Sequence, residues 1–268
     1  MTIRILNIAI VFVALVLGGL LVRKFFFQPS SPNYRLTTNA ALRIDGINWA
    51  DSERTVLLAL SKECKYCAAS AEFYRRLAAG LERQKTRLVA VFSEKESDGE
   101  AYLKRLEVPV REVRYASFSS LGINSVPTLA LVDRNGVVTY MWVGKLPPLE
   151  EKGLMSKLAL EDTRSPDEWS MTEARVERKL ANKEQLLLLD VRERESFTTR
   201  HRDGARNIPL DELPVRAQNE LSPDQTIVIY SNDASEMDLA YSILETQGFA
   251  HILLLVPDAP PFQRVPMN

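Results

Sequence analysis

With 34 basic and 35 acidic side chains in 268 residues, the chain is nearly neutral at −1, so it carries no basic footprint for nucleic acid. Only two cysteines occur, Cys64 and Cys67, which excludes a disulfide framework and a Cys-rich metal site. The two histidines, His201 and His251, stand far from that pair in sequence, and neither a metal nor a cofactor is expected.

The chain opens on an apolar run from Ile5 to Val22, interrupted only by Asn7. About eighteen residues of helix span about 27 Å, against roughly 30 Å for a bilayer core. The run is longer than a signal-peptide core, and Leu20–Phe27 offers no small-residue cleavage site. An uncleaved single-pass anchor over residues 1–27 is therefore expected. Arg4 and the α-amine precede the span, whereas Arg23 and Lys24 lie just after it. Basic residues alone lean slightly toward a cytoplasmic placement of the domains beyond the span and leave both orientations open. Gln28-Pro-Ser-Ser-Pro-Asn33 begins a polar tether, taken as 28–37. The remaining chain of about 235 residues suits two domains of about 100–120 each. These are placed at 38–160 and 171–268. The linker between them, 161–170, contains Asp162–Glu168 with its Pro and several charges, and Ser170 to Glu173 reads as a capping box for a new helix.

In the first domain Arg54–Leu60 reads as a buried strand, followed by Cys64-Lys65-Tyr66-Cys67 and the helix-forming stretch Ala68–Ala79. Two residues three apart at a helix start share a face and lie close enough to bridge. Unpaired N–H groups there favour an anionic sulfur at Cys64, and Lys65 pulls the same way. Cys64 is therefore the expected attacking thiolate and Cys67 the resolving thiol. Two helix cysteines can also be small packed hydrophobes, but that reading explains neither the strand before them nor the lack of any other thiol. Further on, Thr86–Phe92 reads as a strand and Gly99–Leu106 as a helix. Thr128–Val132 and Val137–Trp142 read as a hairpin around Asp133-Arg-Asn-Gly136, and Leu149–Leu160 as a closing helix.

These residues resemble a thioredoxin fold over about 38–160, particularly the membrane-tethered, TlpA-like thioredoxins of the bacterial extracytoplasmic space. The Cys64–Cys67 motif and Ser125-Val126-Pro127-Thr128 carry the resemblance. It implies a mixed central sheet with flanking helices, a cis Pro127 beside the dithiol that positions substrate, and soluble domains outside the cytoplasm. Two positions depart from the thioredoxin pattern. Leu58 stands where thioredoxins bury an Asp, and Glu63 where they carry a Trp. Glu63 opposes Lys65 and the helix terminus, so the sequence leaves reductant and oxidant both open. Glu72, five residues past Cys67, reads as a solvated helix charge before it reads as a proton acceptor.

From Met171 strands and helices alternate again. Glu173–Leu180, Asp211–Leu221 and Glu236–Gln247 read as helices, and Gln185–Asp190, Gln225–Tyr230 and His251–Val256 as short buried strands. That spacing implies a parallel sheet covered on both faces. Leu189-Asp190-Val191-Arg192-Glu193 and His201–Pro209 resemble the entry motifs of a rhodanese domain. The loop that carries the catalytic Cys in that family here reads Ser231-Asn-Asp-Ala-Ser-Glu236. Ser231 replaces the nucleophile, Ala234 a Gly and Glu236 an Arg, so the resemblance implies a domain without sulfurtransferase activity. Asp190, Arg192 and His201 then read as structural, and His251 as packed.

The expectation is an α/β chain: a membrane-anchored thiol–disulfide oxidoreductase acting through Cys64, Cys67 and Pro127 on protein thiols or disulfides. Its alternative is a membrane-tethered binding module or redox sensor, in which the second domain recruits a protein and the dithiol only regulates.

Overall fold

The computed structural model describes residues 36–258. The expected membrane span, the tether up to residue 35 and the tail from residue 259 lie outside the described residues. Among the described residues no helix is long and apolar enough to cross a membrane.

Strands β1 (Arg54–Ala59), β2 (Arg87–Ser93), β3 (Glu112–Ala116), β4 (Thr128–Asp133) and β5 (Val138–Val143) form one sheet in the order β3-β2-β1-β4-β5. The first three run parallel, while β4 is antiparallel to β1 and β5 to β4. The sheet is mixed, as expected. Successive side chains point to opposite faces, so Val56, Leu58, Ala90 and Phe92 enter one core and Leu57, Ala59, Val89 and Val91 the other. Burial on both faces is why these strands read as unbroken apolar runs. β3 escapes that signal because it is a half-exposed edge, held by a charged side chain. Glu112 pairs with Arg87 at 2.7 Å and with Arg114 at 2.9 Å. The hairpin at Asp133 closes as its sequence predicts. The Asp133 carboxylate accepts N–H groups of Asn135 and Val137 at 2.9 Å. Gly136 has φ +80, and a Cβ there would come within 2.6 Å of Trp49.

The helix after the cysteine motif is two helices, α1 (Lys65–Ala69) and α2 (Ala71–Arg83). They meet at Ser70, whose hydroxyl donates back to the Tyr66 carbonyl at 2.9 Å. α2 sinks Phe73, Tyr74, Leu77 and Leu81 against the sheet, an i, i+4, i+8 stripe. α3 (Gly99–Arg105) and α4 (Pro148–Lys157) complete this half.

The second half is a sheet of β6 (Ser170–Thr172), β7 (Leu186–Asp190), β8 (Arg206–Asn207), β9 (Thr226–Tyr230) and β10 (Ile252–Val256). Their order is β6-β10-β9-β7-β8 and all pairs are parallel, as expected. Its helices are α5 (Glu173–Ala181), α6 (Arg194–Thr199), α7 (Leu213–Glu220) and α8 (Ala234–Thr246). Two sequence expectations fail here. Ser170 does not cap α5; it is buried in β6, its hydroxyl donating to the Pro166 carbonyl at 2.8 Å. His251 is exposed rather than packed, contributing only its carbonyl to Ile227 N–H at 2.8 Å.

α4 joins the halves. Leu154 and Met155 lie in the first core, whereas Leu149 packs on the second. The helix has no side-chain cap of its own. Instead the Asp238 carboxylate, on α8, accepts the N–H groups of Leu149 and Glu150 at 3.1 Å, satisfying two of the donors a helix start leaves open. Nearby, Glu151 pairs with Arg76 of α2 at 2.5 Å and with Arg164 at 3.0 Å. Lys145 pairs with Glu245 of α8 at 2.6 Å.

Burial pushes the Asp238 carboxyl up to about 6, against the pull of the Leu149 N–H. An acid whose folded value lies above the free one of about 3.9 binds its proton more tightly when folded. Its contribution to stability is therefore largest below about pH 4 and is lost as pH rises through 6. Denaturation of the wild-type chain and Asp238→Asn between pH 4 and 7 should show the wild type losing stability relative to the variant across that window. Parallel profiles would contradict it.

Candidate active site

The approach to the cysteines is pinned. After β1, Lys62 pairs with Asp98 at 3.0 Å and its N–H donates to Glu96 at 3.2 Å, tying the loop to the segment before α3. Cys64 then takes the N-cap position of α1, with φ −90 and ψ 111. Its sulfur accepts the Cys67 N–H at 3.3 Å, and its thiol donates to the Val126 carbonyl at 3.3 Å. Cys64 is half-buried and Cys67 wholly buried, both as free thiols. Burial pushes the Cys67 thiol well up, and its hydrogen bond with Cys64 adds to the rise, against the Ser61 backbone.

The Val126–Pro127 peptide bond is cis. Pro127 is buried, and its segment is fixed from both sides. Thr128 Oγ1 donates to the Ser125 carbonyl at 2.7 Å, and Gly144 N–H donates to the Pro127 carbonyl at 2.8 Å. Thus β1, α1, the turn before β4 and the end of β5 bring Cys64, Cys67 and Pro127 together from positions 63 residues apart in sequence.

Other residues raised by the sequence stand elsewhere. Glu63 is exposed on the loop. The Lys65 ammonium lies over the Tyr66 ring at 4.9 Å. Glu72 is exposed and pairs with Arg76 at 2.8 Å. Leu58 is fully buried in the same core as Cys67, in company with Tyr74 and Tyr102. Both tyrosine hydroxyls are buried without a hydrogen-bond partner, and burial raises the Tyr102 phenol to about 12. Sequence reasoning gave no role to these two hydroxyls, because a tyrosine at an inward helix position reads only as core.

In the second half, Ser231 comes directly after β9. Its hydroxyl donates to the Glu236 carboxylate and accepts the Asp233 N–H at 3.3 Å. Asp233 caps α8 through the Ser235 N–H at 2.8 Å, and its carboxyl is held below the usual range by the Ser235 hydroxyl and backbone. Acidic groups thus face this loop from inside it. Asp190, fully buried, pairs with Arg192 at 2.6 Å, and Arg192 also donates to the Arg200 carbonyl at 2.8 Å. His201 Nδ1 meets the Phe197 carbonyl at 2.9 Å, and its ring stacks on Phe197 at 4.1 Å. Among the described residues no group of three or more His, Cys, Asp or Glu side chains is placed to hold a metal.

Residues 172–256 match the family model of the rhodanese-like domain. Over 79 residues the chain is 35% identical to YrkF of Bacillus subtilis (strain 168), named as a candidate sulfur carrier protein; the match covers 30% of this chain and 42% of that one. The chain therefore spans less than half the length of that curated relative. Among solved structures, a rhodanese with anions from E. coli is 32% identical over 25% of this chain and 81% of its own, with a TM-score of 0.24. A candidate thiol:disulfide interchange protein, DsbE, from Chlorobium tepidum is 20% identical over 47% of this chain and 95% of its own, with a TM-score of 0.38.

Proposed function

We propose that the chain is a membrane-anchored thiol–disulfide oxidoreductase whose rhodanese-like domain is not catalytic. Its parts are an anchor at 1–27, a tether at 28–37, a thioredoxin-like domain at 38–160 and a second domain at 171–268 beyond a short linker. The observation that carries the reading is the contrast between the two sulfurs. Cys64 is reachable and receives an N–H, while Cys67 is sealed behind it with its proton held by burial.

That asymmetry fits a two-step exchange. The Cys64 thiolate attacks one sulfur of a substrate disulfide, that S–S bond breaks, and the other substrate sulfur leaves as a thiolate. Cys67 then attacks Cys64 Sγ, its proton passing to a departing substrate sulfur. The mixed disulfide breaks, the second substrate sulfur leaves, and two electrons have passed to substrate as Cys64–Cys67 forms. A substrate dithiol attacking the oxidised pair runs the same steps backward. Val126, with its carbonyl already on Cys64, and Pro127 would position the substrate strand. Turnover of insulin disulfides by the full-length chain in detergent, with dithiothreitol as reductant, tests the activity, and rates no higher than dithiothreitol alone would overturn it.

The second domain has Ser231 in the nucleophile position, with Glu236 and Asp233 beside it where an anion would need donors. A serine cannot carry a persulfide sulfur, and carboxylates repel thiosulfate. A Cys64→Ser/Cys67→Ser chain should form no thiocyanate from thiosulfate and cyanide; measurable thiocyanate would sink the non-catalytic assignment. The chain's anchoring and the extracytoplasmic side for its folded part rest on the apolar run and the family resemblance. A reporter fused after Asn268 reads the side directly.

A further inference from the structure

We propose that the second domain builds one wall of the substrate site, so that helix α8 helps choose which polypeptides reach Cys64. This deepens the oxidoreductase reading and rests on it. A cleft of about 190 Å³ lies between Tyr66, Gly144 and Lys145 on one side and Ser242, Glu245 and Thr246 of α8 on the other. Two links tie its lining to the segments that hold the dithiol. Tyr66 stands inside the cysteine motif and is 42% exposed. Gly144 N–H donates to the carbonyl of Pro127, whose preceding residue accepts the Cys64 thiol. The wall is fixed rather than leaning, because Lys145 pairs with Glu245 at 2.6 Å and Asp238, nearer the start of α8, holds the first amides of α4.

The cleft's chemistry names its occupant. Its volume falls below the roughly 300–1,000 Å³ of a small-molecule pocket, but admits a side chain of a polypeptide lying across Cys64. Lys145 and Glu245 neutralise each other, leaving the Tyr66 ring and Pro147 on one side and the uncharged Ser242 and Thr246 side chains on the other. An uncharged apolar or aromatic residue flanking the reacting cysteine fits, since aromatic rings anchor such contacts. A positively charged residue there would meet no unpaired acid among the lining residues and would face the Lys65 ammonium over the Tyr66 ring.

The test uses the full-length chain, reduced and freed of reductant in detergent, mixed with either insulin or hydroxyethyl disulfide. The second substrate has no side chain to reach α8. Quenching and alkylation give the second-order rate constant for each, and the readout is their ratio, protein over small disulfide. Thr246→Arg and Ser242→Trp, which fill the cleft from α8, should each lower that ratio about tenfold. Leu239→Ser, on the same helix and 52% exposed, should leave it within twofold. Ratios within twofold of wild type for both filling variants, each shown folded by circular dichroism, overturn the wall. A wild-type chain that reduces neither substrate overturns the oxidoreductase reading itself, whatever α8 does.

Discussion

Cys67→Ser should accumulate a mixed disulfide between Cys64 and substrate protein, visible on non-reducing gels, whereas Cys64→Ser should accumulate none. The reason lies in burial. Cys64 is the half-exposed sulfur and can meet a substrate, while Cys67 is wholly enclosed and can attack only what Cys64 already holds. Removing the buried thiol leaves the first step intact and blocks the second, so the intermediate persists. Removing the outer one abolishes both. Turnover should fall at least about a thousandfold in either variant, as it does when one member of a cooperating catalytic pair is deleted. Trapping by both variants, or by neither, would contradict the division of roles.

Glu151→Ala should cost about 3 kcal/mol of stability at about pH 8, where the carboxyl is ionised, the size seen when one partner of a buried ion pair is deleted. Glu151 is 8% exposed and bridges Arg76 on α2 to Arg164 in the linker. Its loss leaves two guanidiniums with Asp162 at 3.6 Å as the acid they share and Glu72 at 2.8 Å still on Arg76. Burial pushes the Glu151 carboxyl up to about 7 against the pull of Arg164 and Arg76, so Glu151→Gln, which keeps an acceptor, should cost less. Chemical denaturation followed by circular dichroism reads both variants. An Ala variant as stable as wild type would show that the bridge carries no weight.

Much of this architecture can be read in the residues because periodicity reports burial. Leu57 and Leu58 belong to opposite cores, and so do Val228 and Ile229, which makes their strands plain as continuous apolar runs. β3 and β8 are missed for the converse reason: an edge strand held by Glu112, or two residues long at Arg206–Asn207, carries no such run. α6 is likewise unread, having no buried residue to set a stripe. The cysteines stand out through local spacing and Pro127 only through the family resemblance, yet their assembly depends on β4 lying beside β1. The contacts between halves leave no trace in local sequence. Asp238 and Glu151 look like ordinary polar positions on amphipathic helices, and Asp238's partner Leu149 is 89 residues away.

Helix α4 carries a practical consequence. Its Leu149 end completes one core, its Leu154 end the other, and its first amides are held by a carboxylate from across the junction. A chain cut in the linker would therefore not yield two intact modules. The upstream piece would keep the dithiol but expose Leu149 and lose the cap, and the downstream piece would uncover the core that Leu149 packs on and leave Asp238 without the amides it accepts. Transplanting either half into another protein would require carrying α4 and α8 together as one indivisible joint.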